Sequence, residues 1–480
     1  MKKVSSKNWI KLILFSFLAG IAIAGVYHVL SWKDTMGPHL SNVQQLYATE
    51  DKKIDVFFVG SSHVYGGINP DVLWQQRGIA SFDLACSGQD KQSAVRFLKE
   101  ALKTQSPKVV FVDIFSATYE KGAVQGNVYR NMLSMDLSPN SVGLVHDYFE
   151  KYDMDYILKW PIVHTRYREL EPYDFVQFPF SEYGRGFCSR YSIGTIDPGI
   201  EAGLAGDAVP ISETNKTFVD DLVILAEEQD FSLVLMILPY QMKAEDQVIY
   251  NGIFEYAAAK GIECLNFNAS SGSAYAPAID TGLDYTADFM DHGHLNIFGA
   301  EKLSTWLGTY LAERYDLADH RGDPSYRMWD ESAAYQGHLA LWEMLPVTGD
   351  PVSYASAIGA IPDVETILTV PAQGLPGDIS DGVLHALDIL GAPQELTQSG
   401  GTCIVKNREV LAYLDNTDKQ KNASISLDLD CFHTIHAEKT VDGEQIVLFD
   451  RERIFLELNG LGILVYDPVL GEKLDMRFFE

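Results

Sequence analysis

Two short motifs, far apart in the chain, carry the side-chain types that nucleophilic catalysis requires. The first is Gly60-Ser61-Ser62-His63, directly after the apolar run Val56–Val59, and the second, DHGH, contains Asp291 and His294. A serine hydroxyl is a weak nucleophile until a base removes its proton, and an imidazole is a better base when a carboxylate orients it. Ser62, His294 and Asp291 are therefore candidates for a catalytic triad. Taken alone, the first motif fits an ordinary polar turn equally well.

Strand-like and helix-like segments alternate along the part of the chain that holds both motifs. The apolar runs that predict strands are IDVFFVG, SFDLACSG, KVVFVDI, SLVLMILPY and IECLNF. This alternation predicts an α/β fold, a three-layer α/β/α sandwich around a flavodoxin-like sheet of five parallel strands. Ser62 follows the first strand and Asp291 and His294 lie beyond the fifth, so we expect them at the same carboxyl edge, where such sheets bind ligands. The aromatic-rich segment 119–211 is predicted to be an insertion, either a wall of the site or a helical surface subdomain.

Length and charge limit the kinds of partner. The chain has 480 residues, enough for two or three domains, with a formal net charge of −29 and a pI near 4.7. Such a charge repels nucleic acid and anionic lipid surfaces, so a neutral or cationic main partner fits better. No phosphate-binding loop or dinucleotide-binding pattern occurs, and we expect no cofactor.

The N-terminal segment, residues 1–34, has the pattern of a membrane anchor. Met1–Lys11 carry four lysines and no acidic residue, and Leu12–Leu30 are almost wholly apolar and long enough to approach the thickness of a bilayer. Positive charge stays on the cytoplasmic side, so this pattern predicts a single-pass cell-membrane protein whose bulk is extracytoplasmic. The small residues Ala22-Ile23-Ala24 leave a cleaved signal peptide as the alternative.

The two motifs resemble those of the SGNH or GDSL-like hydrolases, in which a serine follows the first strand and Asp-x-x-His precedes the last helix. The resemblance covers about Asp55 to Leu311, within a predicted domain 50–318, and implies that Ser62 is the nucleophile, His294 the base and Asp291 its orienting carboxylate. It also implies that the backbone N–H groups of Ser62 and Gly88, in ACSGQ, form an oxyanion hole. The family's third motif, Gly-x-Asn-Asp after the third strand, is absent: VVFVDIFSATYE offers Asp113, Ser116 and Thr118 but no asparagine. A third oxyanion donor is therefore not identified from the sequence.

The Gly-Ser-Ser form is similar to a membrane-anchored branch of this family that moves acyl groups on to or off cell-envelope glycans. This likeness implies an extracytoplasmic serine esterase or O-acyltransferase acting on ester-linked acyl groups, above all acetyl, of a cell-surface polysaccharide. A membrane-bound O-acyltransferase is then an expected partner, beside the polysaccharide or acyl donor itself.

Two alternatives stay open. The missing third motif fits an inactive SGNH-like protein that binds glycans or assembles the envelope, and Asp291, His292, His294 and His63 could instead form a metal site in a metal-dependent hydrolase.

Beyond about Arg321 the pattern changes, and residues 322–480 are predicted to form a second, α+β domain. A helical stretch is followed by short strands separated by turns. The ending LNGLGILVYDPVLGEKLDMRFFE resembles an interleukin-like domain of the FAM3 type, which implies a glycan-binding module. A packing or dimerising domain fits the same pattern.

Overall fold

The structure is a computed structural model of the whole chain. It describes residues 6–30, 45–119, 125–159, 164–168, 184–196, 207–268, 276–343, 349–417, 422–430, 433–441, 444–455 and 458–480, with residues 43, 170, 175 and 345. Large parts of the predicted insertion 119–211 lie outside these described residues. The chain divides into two compact units, Met1–Gln336 and Gly337–Glu480.

A parallel sheet of five strands forms the centre of the first unit. Its strands are β1 (Val56–Gly60), β2 (Ser81–Ala85), β3 (Val109–Asp113), β4 (Ser232–Ile237) and β5 (Glu263–Asn266). They pair in the order β2-β1-β3-β4-β5, all in parallel. This is the predicted flavodoxin-like sheet, and the predicted α/β fold class is confirmed.

Helices cover both faces of this sheet, so its strands are apolar on both sides. Phe57 and Val59 belong to one buried hydrophobic cluster, whereas Val56 and Phe58 belong to the other. A strand buried on both faces has no polar face to present, which explains the unbroken apolar runs in the sequence. The helices of the unit after the N-terminal one are α2 (Ser62–Gly67), α3 (Pro70–Arg77), α4 (Lys91–Ala101), α5 (Gln125–Ser134), α6 (Pro139–Phe149), α7 (Met154–Ile157), α8 (Glu213–Gln229), α9 (Ala244–Ala259) and α10 (Ile297–Arg314).

A short hairpin lies between the fifth strand and α10. It consists of β6 (Phe289–Asp291) and β7 (His294–Leu295), which pair in antiparallel fashion. The Asn296 side chain accepts hydrogen bonds from the N–H groups of Phe298 and Gly299 and donates one to the carbonyl oxygen of Ala287. Asn296 therefore caps α10 and holds the hairpin against its first turn.

The first unit extends through the first half of helix α11 (Arg327–Glu343). Trp329 is buried there, stacks near Trp74 and Tyr326, and donates its indole N–H to the Ser81 carbonyl oxygen at 3.1 Å. These contacts attach α11 to the edge strand β2.

Three charged side chains are buried beside the same edge strand. Asp71, Asp83 and Arg185 are each at most 2% exposed. Burial raises the pKa of Asp71 to about 7, against the opposing effects of the nearby Ser332 and of the charge of Arg185. Burial, reinforced by the charge of Asp71, also raises the pKa of Asp83 well above its usual range. The first unit thus contains carboxyl groups that favour their neutral form.

The second unit is α+β, as predicted, with two antiparallel sheets. One sheet has the order β10-β9-β8-β15-β16 and the other β11-β12-β13-β14. Their strands are β8 (Glu365–Val370), β9 (Gly401–Lys406), β10 (Glu409–Asp415), β11 (Ala423–Asp428), β12 (Thr434–Lys439), β13 (Gln445–Phe449), β14 (Glu452–Ile454), β15 (Leu461–Asp467) and β16 (Glu472–Phe479). Helix α12 (Pro351–Gly359) precedes β8, and helices α13 (Asp381–Leu390) and α14 (Gln394–Ser399) lie between β8 and β9. A glycan-binding role for this unit stays a prediction.

The N-terminal helix α1 spans Ser6–Leu30. Its stretch Trp9–Leu30 has a mean hydropathy of 2.1 and is long and apolar enough to cross a membrane. A signal sequence has the same properties, so the helix fits both alternatives raised by the sequence.

We expect Trp329→Ala to destabilise the first unit by about 3–5 kcal/mol, because it removes a fully buried indole and leaves the Ser81 carbonyl without its donor. Urea unfolding followed by far-UV circular dichroism measures this loss. Ile224→Ala, at a half-exposed position on α8, is the control and should change stability by less than about 0.5 kcal/mol. A loss at Trp329 no larger than at Ile224 would mean that α11 is not attached as described.

Candidate active site

The end of strand β1 is shaped to deliver Ser62. A Cβ atom added to Gly60 would lie 2.6 Å from Val64 Cγ2 and 3.0 Å from Asp113 Cβ, so a larger residue does not fit. The chain then turns into α2, for which Ser61 is the N-cap residue and accepts a hydrogen bond from the His63 N–H. Ser62 is therefore the first residue of a short helix. The polar turn that the motif also fitted is not what the structure shows. At this position the backbone N–H of Ser62 is among those that a helix leaves unpaired.

The Ser62 side chain contacts His294. Ser62 Oγ lies 2.8 Å from His294 Nε2, although the two residues are 232 positions apart in the sequence. The neighbouring Ser61 is only 4% exposed, and its hydroxyl caps the helix. Between the two adjacent serines, the geometry therefore favours Ser62 as the nucleophile.

Asp291 holds the other side of the imidazole. His294 Nδ1 lies 2.8 Å from Asp291 Oδ1 and 3.0 Å from Oδ2, across the hairpin β6–β7. The Gly293 N–H also donates to Asp291 Oδ1, at 2.7 Å. Because a carboxylate accepts the Nδ1 proton, Nε2 is left free to accept the proton of the Ser62 hydroxyl. The structure thus brings together the three residues proposed as a triad from the sequence.

The surroundings set the protonation of the two ionisable members. Burial lowers the pKa of His294, the positive charge of Arg190 lowers it further, and the charge of Asp291 opposes both. Burial alone would raise the pKa of Asp291, but the Gly293 N–H, the contact with His294 and the charge of Arg190 bring it below its usual range. At neutral pH these shifts give a neutral imidazole beside an ionised carboxylate, the state from which a base can act.

His63 and two aromatic side chains line one side of the site. The His63 ring lies 3.8 Å from the Phe115 ring and 5.4 Å from the rings of Tyr240 and His294, centroid to centroid. Burial and the charges of His294 and Arg190 lower the pKa of His63 to about 3, so it is neutral. Next to Phe115, burial raises the pKa of Asp113 to about 7, against hydrogen bonds from the backbones of Leu238 and Phe115. The rings of this wall are therefore neutral at neutral pH, whereas Asp113 behind them is close to its pKa.

Gly88, the second predicted oxyanion donor, lies in the turn that follows β2. Its φ of +59° is one that glycine adopts most readily. A Cβ atom added there would lie 2.0 Å from Nδ2 of Asn127, in helix α5. An amide side chain therefore sits directly on the predicted oxyanion turn. Asn127 was not among the site residues predicted from the sequence, because it lies within the predicted insertion and not after the third strand.

The metal alternative gains no support from the described residues. Within them, no three His, Cys, Asp or Glu side chains lie together as metal ligands. Both ring nitrogens of His294 are engaged, by Ser62 and Asp291. His292 is exposed, and its carbonyl oxygen accepts a hydrogen bond from the Gln241 N–H.

Comparisons with known proteins give weak likenesses. No family model matches the chain, and no curated protein matches it significantly. Among solved structures, a candidate acylhydrolase from Bacteroides fragilis is 12% identical over 59% of this chain and 99% of its own, with a TM-score of 0.28. A carbohydrate esterase, described as having divergent catalytic and non-catalytic binding functions, is 10% identical over 58% of this chain and 68% of its own, with a TM-score of 0.25. An acetyl xylan esterase from the rumen bacterium Butyrivibrio proteoclasticus is 9% identical over 55% of this chain and 64% of its own, with a TM-score of 0.23. These likenesses are too weak to assign a function.

We expect a fluorophosphonate probe to label Ser62, and Ser62→Ala to abolish labelling. Ser61→Ala is the matched control: it should keep most of the labelling and lose about 1 kcal/mol of stability, because only a helix cap is removed. Intact-protein mass spectrometry measures both. Equal loss of labelling in the two variants would contradict the assignment of the nucleophile.

Labelling should rise with pH through a midpoint below 6.5, the usual histidine value, because His294 must be neutral to accept the serine proton and its pKa is lowered. A pH series of labelling rates tests this expectation. A chelator should leave the labelling rates unchanged. Loss of labelling on addition of a chelator, with recovery on added zinc or manganese, would support the metal alternative instead.

Proposed function

We propose that this chain is a serine esterase or O-acyltransferase that acts on ester-linked acyl groups, above all acetyl, of a cell-surface polysaccharide. The observation that carries the proposal is the continuous hydrogen-bonded chain from Ser62 through His294 to Asp291, at the carboxyl edge of the parallel sheet. A serine in contact with a neutral, carboxylate-oriented imidazole is the arrangement that acyl transfer requires.

The first half of the reaction acylates the serine. Ser62 Oγ attacks the carbonyl carbon of the ester while its proton passes to His294 Nε2, and the negative charge of Asp291 stabilises the imidazolium so formed. Collapse of the tetrahedral intermediate breaks the bond to the alcohol oxygen, which leaves with the proton from Nε2. The products of this half are the free alcohol and an acyl ester on Ser62.

The second half regenerates the serine. A water molecule or a sugar hydroxyl gives its proton to His294 Nε2 and attacks the acyl carbonyl, after which Nε2 returns the proton to Ser62 Oγ. Water as acceptor gives hydrolysis, and a sugar hydroxyl gives acyl transfer. The two outcomes use the same residues and differ only in the acceptor that the site admits.

Three donors are proposed for the oxyanion of the tetrahedral intermediates. The Ser62 N–H lies in the first turn of α2, where the positive end of the helix dipole adds to its effect. The second is the Gly88 N–H, and the third is Nδ2 of Asn127, which lies against Gly88. Asn127 would thus replace, as an oxyanion donor, the asparagine that the sequence lacks after its third strand.

The substrate and the location rest on two further features. Phe115, Tyr240 and the exposed Tyr119 form connected ring contacts beside the nucleophile, and sugar rings stack well on such surfaces. The apolar helix Trp9–Leu30 fits an anchor that keeps the bulk of the chain outside the cell membrane. A membrane-bound O-acyltransferase that supplies the acyl group is a partner consistent with that placement.

Incubation of the protein with acetylated xylan, followed by mass spectrometry, tests the proposal directly. We expect a mass increase of one acetyl group on Ser62 and release of acetate, or its appearance on an added oligosaccharide acceptor if the site transfers. Ser62→Ala should lower turnover of an aryl acetate by about 10³-fold or more. Binding of glycan without any acyl-enzyme would favour the inactive, glycan-binding alternative.

Removing the proposed third oxyanion donor should slow catalysis without abolishing it. We expect Asn127→Ala to lower kcat by about 10²-fold with little change in KM, because an oxyanion donor acts mainly in the transition state. Asn140→Ala is the matched control, since the Asn140 side chain instead donates to Glu100. A kcat equal to that of the control would exclude Asn127 from the oxyanion hole.

A further inference from the structure

Arg190 lies against the helix that carries the nucleophile. Its backbone segment is held by hydrogen bonds from the Cys188 N–H to the Tyr65 carbonyl and from the Ile297 N–H to the Arg190 carbonyl. The guanidinium lies 5.1 Å from the centre of the Tyr65 ring, and its Nη1 is 2.8 Å from the point that a Cβ atom on Gly66 would occupy. Gly66 is four residues after Ser62, so it lies on the same side of the helix, one turn away. The missing side chain of Gly66 therefore makes the space in which the guanidinium sits.

The charge of Arg190 has no carboxylate partner among the residues that the structure describes. Nη1 is buried and makes no hydrogen bond there, and no ion pair to Arg190 is formed within the same residues. Asp291, whose charge acts on the same site, is committed to His294 Nδ1 and the Gly293 N–H. Arg190 is half-buried, and guanidinium groups in proteins are usually matched to a carboxylate or phosphate.

This unmatched charge also opposes catalysis as the site stands. The charge of Arg190 lowers the pKa of His294, and the charge of Asp291 and its hydrogen bond to His294 oppose this effect. His294 must become an imidazolium during each proton transfer, and a second cation nearby makes that state less favourable. A negative group bound at Arg190 would remove this penalty and would also provide the missing counter-ion.

We propose that Arg190 binds a carboxylate carried by the substrate close to its ester, so that the preferred substrate is an acylated acidic sugar such as a uronic acid residue. This inference rests on the proposed function and specifies its substrate class. The net charge of −29 does not prevent such binding, because charges farther away than a screening length of about 8 Å are largely masked at physiological salt. The nearby guanidinium of Arg190 then determines the preference for a substrate that carries a carboxylate. The bound carboxylate in turn favours the imidazolium form of His294.

Paired esters that differ only in one carboxylate test the inference. The probes are the acetylated methyl glycosides of glucuronic acid and of glucose, with the acetyl group on the same hydroxyl. We expect kcat/KM to favour the glucuronide by roughly 10- to 100-fold, the range of a charge-assisted hydrogen bond, with part of the gain in kcat. Arg190→Gln should abolish this preference, and Arg190→Lys should retain part of it because the charge remains.

Two further variants separate a specific role from a general loss of positive charge. Arg314→Gln removes an arginine that is paired with Glu263 at the surface, and it should keep the preference. Gly66→Ala places a methyl group 2.8 Å from the present position of Nη1, and it should reduce the preference without removing any charge. In Arg190→Gln, the midpoint of the pH–rate profile should also rise, because the charge that lowers the pKa of His294 is gone.

Binding to Ser62→Ala distinguishes failure of this inference from failure of the proposed function. Calorimetry with methyl glucuronide and methyl glucoside should show tighter binding of the glucuronide, lost when Arg190→Gln is added. If that difference is seen but the native chain turns over no ester, the carboxylate site stands and the proposed reaction is wrong. If esters are turned over with equal kcat/KM for both probes, or if Arg190→Gln keeps the preference, the inference is overturned.

Discussion

The hydrogen bond between Ser62 and His294 joins two residues that are 232 positions apart in the sequence. It forms only if the elements that carry the two residues are held in fixed positions. Ser62 is fixed by the buried strand β1, and His294 by a two-stranded hairpin whose next residues begin α10. Helix α2 packs against that hairpin, and a Cβ atom on Gly67 would lie in ordinary contact with it, 3.6 Å from Leu295 Cδ1. A hydrogen bond tolerates only a few tenths of an ångström of error, so the sheet must hold both ends to that precision.

The elements that carry the triad could be predicted from the sequence because each has a strong local signal. The five strands are short apolar runs, and Asp291 and His294 are close in the chain, so their contact needs little tertiary information. Helix α2 could not be predicted in the same way. Its sequence, SHVYGG, has two glycines and a β-branched residue and therefore low helix propensity. The Ser61 cap and packing against the hairpin therefore stabilise this helix in spite of its low helix propensity.

Asn127 and Arg190 could not be predicted from the sequence, for a different reason. Both lie in the segment predicted to be an insertion, and neither belongs to a recognisable motif. Their positions depend on where that segment meets helix α2, at Gly66, and the turn after β2, at Gly88, because the absent side chains leave room there. The core of the first unit thus carries Ser62, Asp291 and His294, whereas the inserted segment carries Asn127 and Arg190. Such a division allows substrate preference to change while the reacting atoms stay in place.

The buried carboxyl groups of the first unit have a consequence for its assembly. Asp71 and Asp113 have pKa values of about 7 in the folded chain, against 3.8 for an unperturbed aspartate, and the pKa of Asp83 is also raised. Between these values the folded chain binds more protons than the unfolded chain, so folding near neutral pH takes up protons from solution. The stabilisation from these groups is complete below about pH 3.8 and is lost as the pH rises through about 7. These three carboxyl groups thus favour the folded unit at mild acidity, whereas the buried neutral His63, with its lowered pKa, acts in the opposite direction.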